Sequence, residues 1–117
     1  MLIVYDSMTG NVDRFVKKLG LRNKKIEPRL VVEEPFLLIT YSIGFGEVPK
    51  KVNGFLTANS HNLRGVIGSG NKIWGANYCG AAEKIAKEFN VPLVHKFELS
   101  GTDKDVEKVQ QEAKNIG

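Results

Sequence analysis

Short, nearly continuous apolar runs alternate along this chain with stretches in which apolar residues recur every three or four positions. Leu2-Ile3-Val4-Tyr5 is the first run and reads as a strand. Val12, Phe15, Val16 and Leu19 follow at i, i+3, i+4 and i+7, one face of a helix over about residues 11–19. Residues 36–41, 63–67 and 92–99 read as further strands. A helix with Pro49 in its first turn buries Val52, Phe55 and Leu56. Another starts near Tyr78 or Cys79 and buries Ala82, Ile85, Ala86 and Phe89. In the last helix, Thr102 suits the N-cap and Val106, Val109, Ala113 and Ile116 form the apolar face. One more strand, weakly marked, lies within residues 24–32.

Apolar strands alternating with helices predict a parallel sheet covered on both faces, an α/β doubly wound fold. Five strands suggest the flavodoxin-like order 2-1-3-4-5. No helical pattern joins strands 2 and 3, and Glu33-Glu34-Pro35 cannot form the usual crossover helix. Residues 1–117 are expected to form a single domain.

In such a sheet, ligands bind beyond the carboxyl ends of strands at the switch point. Strands 1, 3 and 4 would be neighbours, so the loops after them should converge on one crevice. The first loop, Asp6-Ser7-Met8-Thr9-Gly10-Asn11, is rich in small donors and opens a helix. Free N–H groups and the helix dipole make that turn an anion site. No Lys follows the glycine, so this is not the G-x-x-x-x-G-K-[ST] nucleotide loop. The second loop carries Gly44 and Gly46 around Phe45, after Tyr41 and Ser42, and permits an easy peptide flip. The third holds Asn71, Trp74, Gly75, Asn77 and Tyr78 just before Cys79, with Trp74 a stacking candidate. A phosphate turn beside two glycine- and aromatic-bearing loops suits a flat ring on a phosphorylated tail. Flavin mononucleotide (FMN) fits that description.

The formal net charge of +4 changes the picture little. Its excess lies in Arg14, Lys17, Lys18, Arg22, Lys24, Lys25 and Arg29, against Glu27 alone over the same stretch. A solvated face is the simplest reading, with an acidic protein partner second. Nucleic acid is not expected, since no aromatic residue interleaves the run. No apolar stretch approaches the roughly 18 residues of a membrane span. With no secretory leader pattern and one cysteine, a cytoplasmic location is expected. Cys79, at a helix start, reads as a packing residue, and His61 and His95 lack metal-ligand spacing. A phosphoacceptor domain would need clustered acids at the strand ends, where Asp6 stands alone.

Ser7-Met8-Thr9-Gly10-Asn11 resembles the flavodoxin phosphate loop, with Val12 where that pattern usually places a final Thr or Ser. Gly44-Phe45-Gly46-Glu47-Val48-Pro49, Leu63-Arg64-Gly65-Val66-Ile67-Gly68-Ser69-Gly70-Asn71, Trp74-Gly75-Ala76-Asn77-Tyr78 and Phe97-Glu98-Leu99-Ser100-Gly101-Thr102 together resemble the NrdI family. The resemblance covers nearly the whole chain. It implies an FMN site on Ser7–Val12 and the second and third loops, and service to the small subunit of class Ib ribonucleotide reductase. It also implies a flavin-reducing electron donor and conversion of dioxygen to superoxide for assembly of a dimanganese–tyrosyl radical cofactor. The metal would belong to the partner. A general electron-carrying flavodoxin shares the same three loops and is the alternative. Few acids occur in those loops, Asp6 and Glu47 with Lys72 beside them, which favours holding an anionic reduced flavin.

Overall fold

The computed structural model describes residues 1–116. Its elements are β1 (Leu2–Tyr5), α1 (Asn11–Leu19), β2 (Asn23–Lys25), β3 (Phe36–Thr40), α2 (Lys50–Asn59), β4 (Leu63–Gly70), α3 (Gly80–Phe89), β5 (Leu93–Glu98) and α4 (Asp103–Ile116). Short 3-10 turns cover Ser60–Asn62 and Lys72–Asn77. The five strands form one parallel sheet in the order β2-β1-β3-β4-β5, as the alternation of elements predicts.

Strand residues point alternately to the two faces, and each face has its own core. Leu2, Val4, Phe36 and Leu38 pack against Val52, Phe55 and Leu56 of α2 and Ala82 and Ile85 of α3. On the other face, Ile3, Leu37 and Ile39 meet Val12, Phe15, Val16 and Leu19 of α1 and Val106, Val109 and Ala113 of α4. Phe15 of α1 stacks on Phe97 of β5 with ring centroids 3.9 Å apart, tying α1 to the far side of the sheet. Ala86, Phe89 and Ile116 are only partly buried at the margins of these cores.

Several boundaries differ from those the sequence predicts; β3 stops one residue short of Tyr41, and β5 is one residue shorter at each end. The weak strand is Asn23–Lys25, starting one residue earlier than the predicted window and wholly exposed. It exists because it pairs with Ile3, Val4 and Tyr5, not because of any pattern of its own. β4 runs three residues past Ile67, because pairing with β5 continues to Gly70↔Glu98. α3 begins at Gly80, since Cys79 adopts left-handed backbone at its N-cap (φ 54°).

The connection from β2 to β3 contains no helix, as expected. Its backbone groups find side-chain partners instead. The buried Asn59 at the end of α2 accepts from the Val32 N–H at 2.8 Å and donates to the Leu30 and Phe55 carbonyls, each at 2.9 Å. Asn62 donates to the Val32 carbonyl at 3.0 Å. Two asparagines thus supply the hydrogen bonds that a crossover helix would make internally. At the other end of the chain, Thr102 and Asp105 cap α4 reciprocally: the Asp105 N–H reaches Thr102 Oγ1, and the Thr102 N–H reaches Asp105 Oδ2 at 2.8 Å. Burial opposes ionisation of Asp105, but hydrogen bonds from His95 and Thr102 outweigh it and hold the carboxyl below its usual range.

Candidate functional site

Register places the site. Tyr5 lies opposite Ile39, and Ile39 opposite Ile67, so the carboxyl ends of β1, β3 and β4 lie side by side at one edge, with β4 reaching three residues further. The three loops that follow enclose a cleft of about 380 Å³.

The first wall is the turn into α1. Gly10 is the N-cap at φ 89° and has no side chain to satisfy the first N–H groups of the helix. Ser7 Oγ accepts from the Asp13 N–H at 3.3 Å, and the N–H groups of Asn11 and Val12 have no hydrogen-bond acceptor among the described residues. Ser7, Met8, Thr9, Asn11 and Val12 all line the cleft. Asp6, immediately before the turn, is buried and accepts from the Tyr41 hydroxyl at 3.0 Å. Burial, then this contact with Asp6, pushes the Tyr41 phenol up to about 12.

The second wall is a small closed turn. Ile43 and Glu47 exchange backbone hydrogen bonds of 3.0 and 2.8 Å across Gly44, Phe45 and Gly46. Gly44 and Gly46 both have positive φ, 53° and 87°. The turn is docked onto α3: the Ala81 N–H donates to Ser42 Oγ at 3.0 Å, and Gly46 meets Gly80 backbone to backbone. Tyr41, Ser42, Gly44 and Gly46 line the cleft.

The third wall is the 3-10 segment after β4. Asn71 Oδ1 caps it by accepting from the Ile73 N–H at 3.1 Å, and Gly75 (φ 55°) kinks it. Asn71, Trp74, Asn77, Tyr78 and Cys79 line the cleft. Lys96 lies 5.2 Å from the centroid of the Tyr78 ring. Burial raises the Tyr78 phenol, and burial pushes the Cys79 thiol up to about 11, so both are neutral at physiological pH. A helix-start cysteine is not activated here; it packs against Gly68 and Gly70.

Three of the residues expected at the site stand outside the cleft wall. Gly10 contributes backbone conformation beneath the turn, and Gly75 the kink behind Trp74. Phe45 points outward, 70% exposed, with its ring edge-on to Trp74 at 6.1 Å. Conversely, Ile43, Ser69 and Gly70, which lie within the expected loops but were not singled out as site residues, complete the wall together with Leu99, which lies outside those loops. Ser69 and Gly70 belong to the extension of β4. Leu99 comes from the β5–α4 turn, where Ser69 Oγ donates to its carbonyl at 2.7 Å and its φ is 52°. Only the positive φ of that position is a local signal, and sequence does not reveal it. Lys51 lines a separate groove with Pro28, Arg29, Leu30 and Val31. Of the basic run, Arg22 pairs with Glu34, Lys25 with Asp13, and Lys18 donates to the Ser100 and Gly101 carbonyls.

Among the described residues no Asp, Glu, Lys or Arg lines the cleft. Asp6 is bonded to Tyr41, Glu98 accepts from the Lys72 N–H at 3.2 Å, and the Glu47 carboxylate packs behind Gly44, with Oε2 2.6 Å from where a Cβ on that glycine would stand. The cleft is therefore a neutral slot with open backbone donors at one end and aromatic side chains at the other. Such a slot can hold a flat, uncharged ring whose tail carries an anion.

Comparison with known proteins agrees. The chain is 55% identical over 115 residues to Protein NrdI of Bacillus licheniformis, covering 97% of this chain and 88% of that protein. It is 45% identical to the SPbeta prophage-derived protein NrdI of Bacillus subtilis, covering 97% and 92%. Among solved structures, a short-chain flavodoxin associated with a bacterial microcompartment superposes with a TM-score of 0.73 at 17% identity, covering 98% of this chain and 94% of that one. Fusobacterium nucleatum flavodoxin bound to flavin mononucleotide gives 0.59 at 16% identity, covering 98% and 95%. These two share the fold. The profile of the NrdI flavodoxin-like family matches residues 3–111, and with the close relatives it places this chain in that family.

Proposed function

We propose that the cleft binds FMN and that the chain serves class Ib ribonucleotide reductase by delivering superoxide to its small subunit. The observation that carries this reading is a neutral cleft ringed by exposed apolar side chains. Met8, Phe45, Ile73, Trp74 and Leu99 are five of the seven large hydrophobic residues left exposed, and all lie on or beside the three loops and the Leu99 turn. Such a rim suits a protein partner that closes over the ligand.

Bound FMN would supply one-electron chemistry toward dioxygen. The chain's own residues hold, shield and tune it. The first N–H groups of α1, with Thr9 and Asn11, would take the phosphate. Trp74 or Tyr78 would cover a face of the ring. With no carboxylate among the lining residues, and only that of Glu47 packed behind Gly44, extra negative charge on the ring would meet little repulsion. The closed turn of Gly44, Phe45 and Gly46 can present either a carbonyl or an N–H to the ring edge, because positive φ costs glycine little. A partner seated on the apolar rim would receive the oxidant where it forms, before solvent dilutes it. Lys50 and Lys72, both exposed, would favour a partly acidic partner surface.

The test uses the full chain loaded with FMN and reduced, a class Ib small subunit loaded with manganese, and dioxygen. Tyrosyl radical should appear only when the chain is present and should vanish when superoxide is scavenged. Equal radical without the chain would refute the assembly role. FMN binding with no radical under any condition would point to a general electron carrier.

A further inference from the structure

The groove that Lys51 lines shares no residue with the cleft and holds about 510 Å³. The connection from β2 to β3 forms one side of it and α2 the other. We propose that this groove docks an acidic amphipathic helix of a protein partner, in the seat left by the missing crossover helix. The inference does not depend on what the cleft binds.

Parallel strands are joined by crossovers, most often helical and right-handed. Connections running from β2 toward β5 therefore fall on one face of the sheet, so a helix between β2 and β3 would pack beside α2. The chain has none there, and the flank of α2 stays open. Two observations favour a helix as the occupant. Gly54 and Ala58, four residues apart on one side of α2, both line the groove. Glycine is a poor helix former, and nothing within 4 Å would obstruct a Cβ at Gly54, so packing inside the chain does not call for it. Small side chains at this spacing let a second helix approach α2 closely. From Lys51 to Asn59, α2 rises about 12 Å, which accommodates about two turns of a partner helix.

The opposite wall is already fixed. Asn59 holds it through the Val32 N–H and the Leu30 carbonyl, and the Leu30 N–H closes a turn onto the Glu27 carbonyl at 3.1 Å. A preformed groove lowers the ordering cost of docking.

Charge selects the partner. Val31, 60% exposed, supplies apolar surface away from the cleft rim. Arg29 and Lys51 line the same groove, and neither pairs with a carboxylate among the described residues. Glu27 is the one acid among the lining residues. Lys24, exposed on β2 just ahead of the groove, has no carboxylate partner among the described residues either. Other cations of the basic run are engaged, Arg22 with Glu34 and Lys25 with Asp13. An apolar stripe flanked by carboxylates is the surface complementary to this groove.

The test titrates the isotope-labelled full chain with a synthetic helical peptide and follows backbone amides by NMR. The peptide carries leucines at i, i+4 and i+7 with glutamates on both flanks, and a control peptide has lysine at every glutamate. The acidic peptide should shift amides within residues 26–32 and 51–59. The basic peptide should bind about tenfold more weakly at low salt, and the gap should narrow as salt is added. Arg29→Glu combined with Lys51→Glu should reverse that preference. Gly54→Leu fills the groove with a good helix former and should abolish binding. Far-UV circular dichroism of wild-type strength shows that the variants fold, and the charge-reversed variant tests the groove without filling it. No shift with either peptide, equal binding of the two, or shifts centred on the cleft rim would overturn the inference and leave the FMN reading intact. Groove shifts that grow with protein concentration alone would assign the face to a second copy of the chain and overturn it as well.

Discussion

Two glycine-to-alanine substitutions should change stability in opposite directions. Gly80 opens α3 and Gly54 lies within α2. Neither has positive φ, so alanine is conformationally acceptable at both and should gain up to about 0.5–1 kcal/mol from helix propensity. Their surroundings differ. A Cβ on Gly54 meets nothing within 4 Å, so the gain should stand. A Cβ on Gly80 would lie 2.8 Å from both Cα and the carbonyl oxygen of Gly46. Those are backbone atoms and cannot rotate away. Overpacking of this kind costs about 1–3 kcal/mol, so Gly80→Ala should be destabilising by about 1–2 kcal/mol net. In a domain of this size that lowers the melting temperature by about 3–6 °C. Urea titration followed by far-UV circular dichroism reads both signs as shifts of the midpoint at constant slope. Because relief can only come from pushing the Ile43–Glu47 turn outward, Gly80→Ala should also weaken FMN, and Gly54→Ala should not. A Gly80→Ala protein at least as stable as the wild type would refute the close docking of that turn on α3.

Asn59→Ala should cost about 2–3 kcal/mol, since it removes the side-chain partners of the buried Val32 N–H and the Leu30 carbonyl, while FMN affinity of the folded protein stays unchanged; a loss under about 1 kcal/mol in urea titration would refute its role in the helix-free connection. Trp74 is the single tryptophan, so its emission should be strongly quenched when FMN binds; undiminished emission in the complex would place the ring elsewhere. From neutral pH stability should hold to about 9 and then fall between about 9 and 12. Tyr41, Tyr78 and Cys79 all keep their protons longer folded than unfolded, so the unfolded chain ionises first as pH rises. Urea midpoints at pH 8, 10 and 11 test this, and Cys79→Ala should flatten the part between 9 and 11.

Most of the fold was legible along the chain because each buried strand and helix face leaves a local period. Leu2–Tyr5, Asn11–Leu19 and Phe36–Thr40 show it within one residue of their observed limits. Glu33-Glu34-Pro35 likewise announced the missing crossover helix. Asn23–Lys25 announced nothing: an exposed three-residue edge strand is held by hydrogen bonds to β1 alone, and backbone pairing leaves no mark in side-chain type. The loops that line the cleft were equally legible, since hydroxyls, glycines and a lone tryptophan cluster where apolar runs end. What the tertiary structure decided was the wall between them. Leu99 and Ser69 enter it through a hydrogen bond spanning 30 positions, and Ser100 reaches Arg14 across 86. Phe45 leaves it because the direction of a side chain at a turn depends on what the turn packs against. Local pattern reports which face of an element is buried; the shape and charge of a cleft depend on contacts between distant elements, and those are set by sheet register and helix docking.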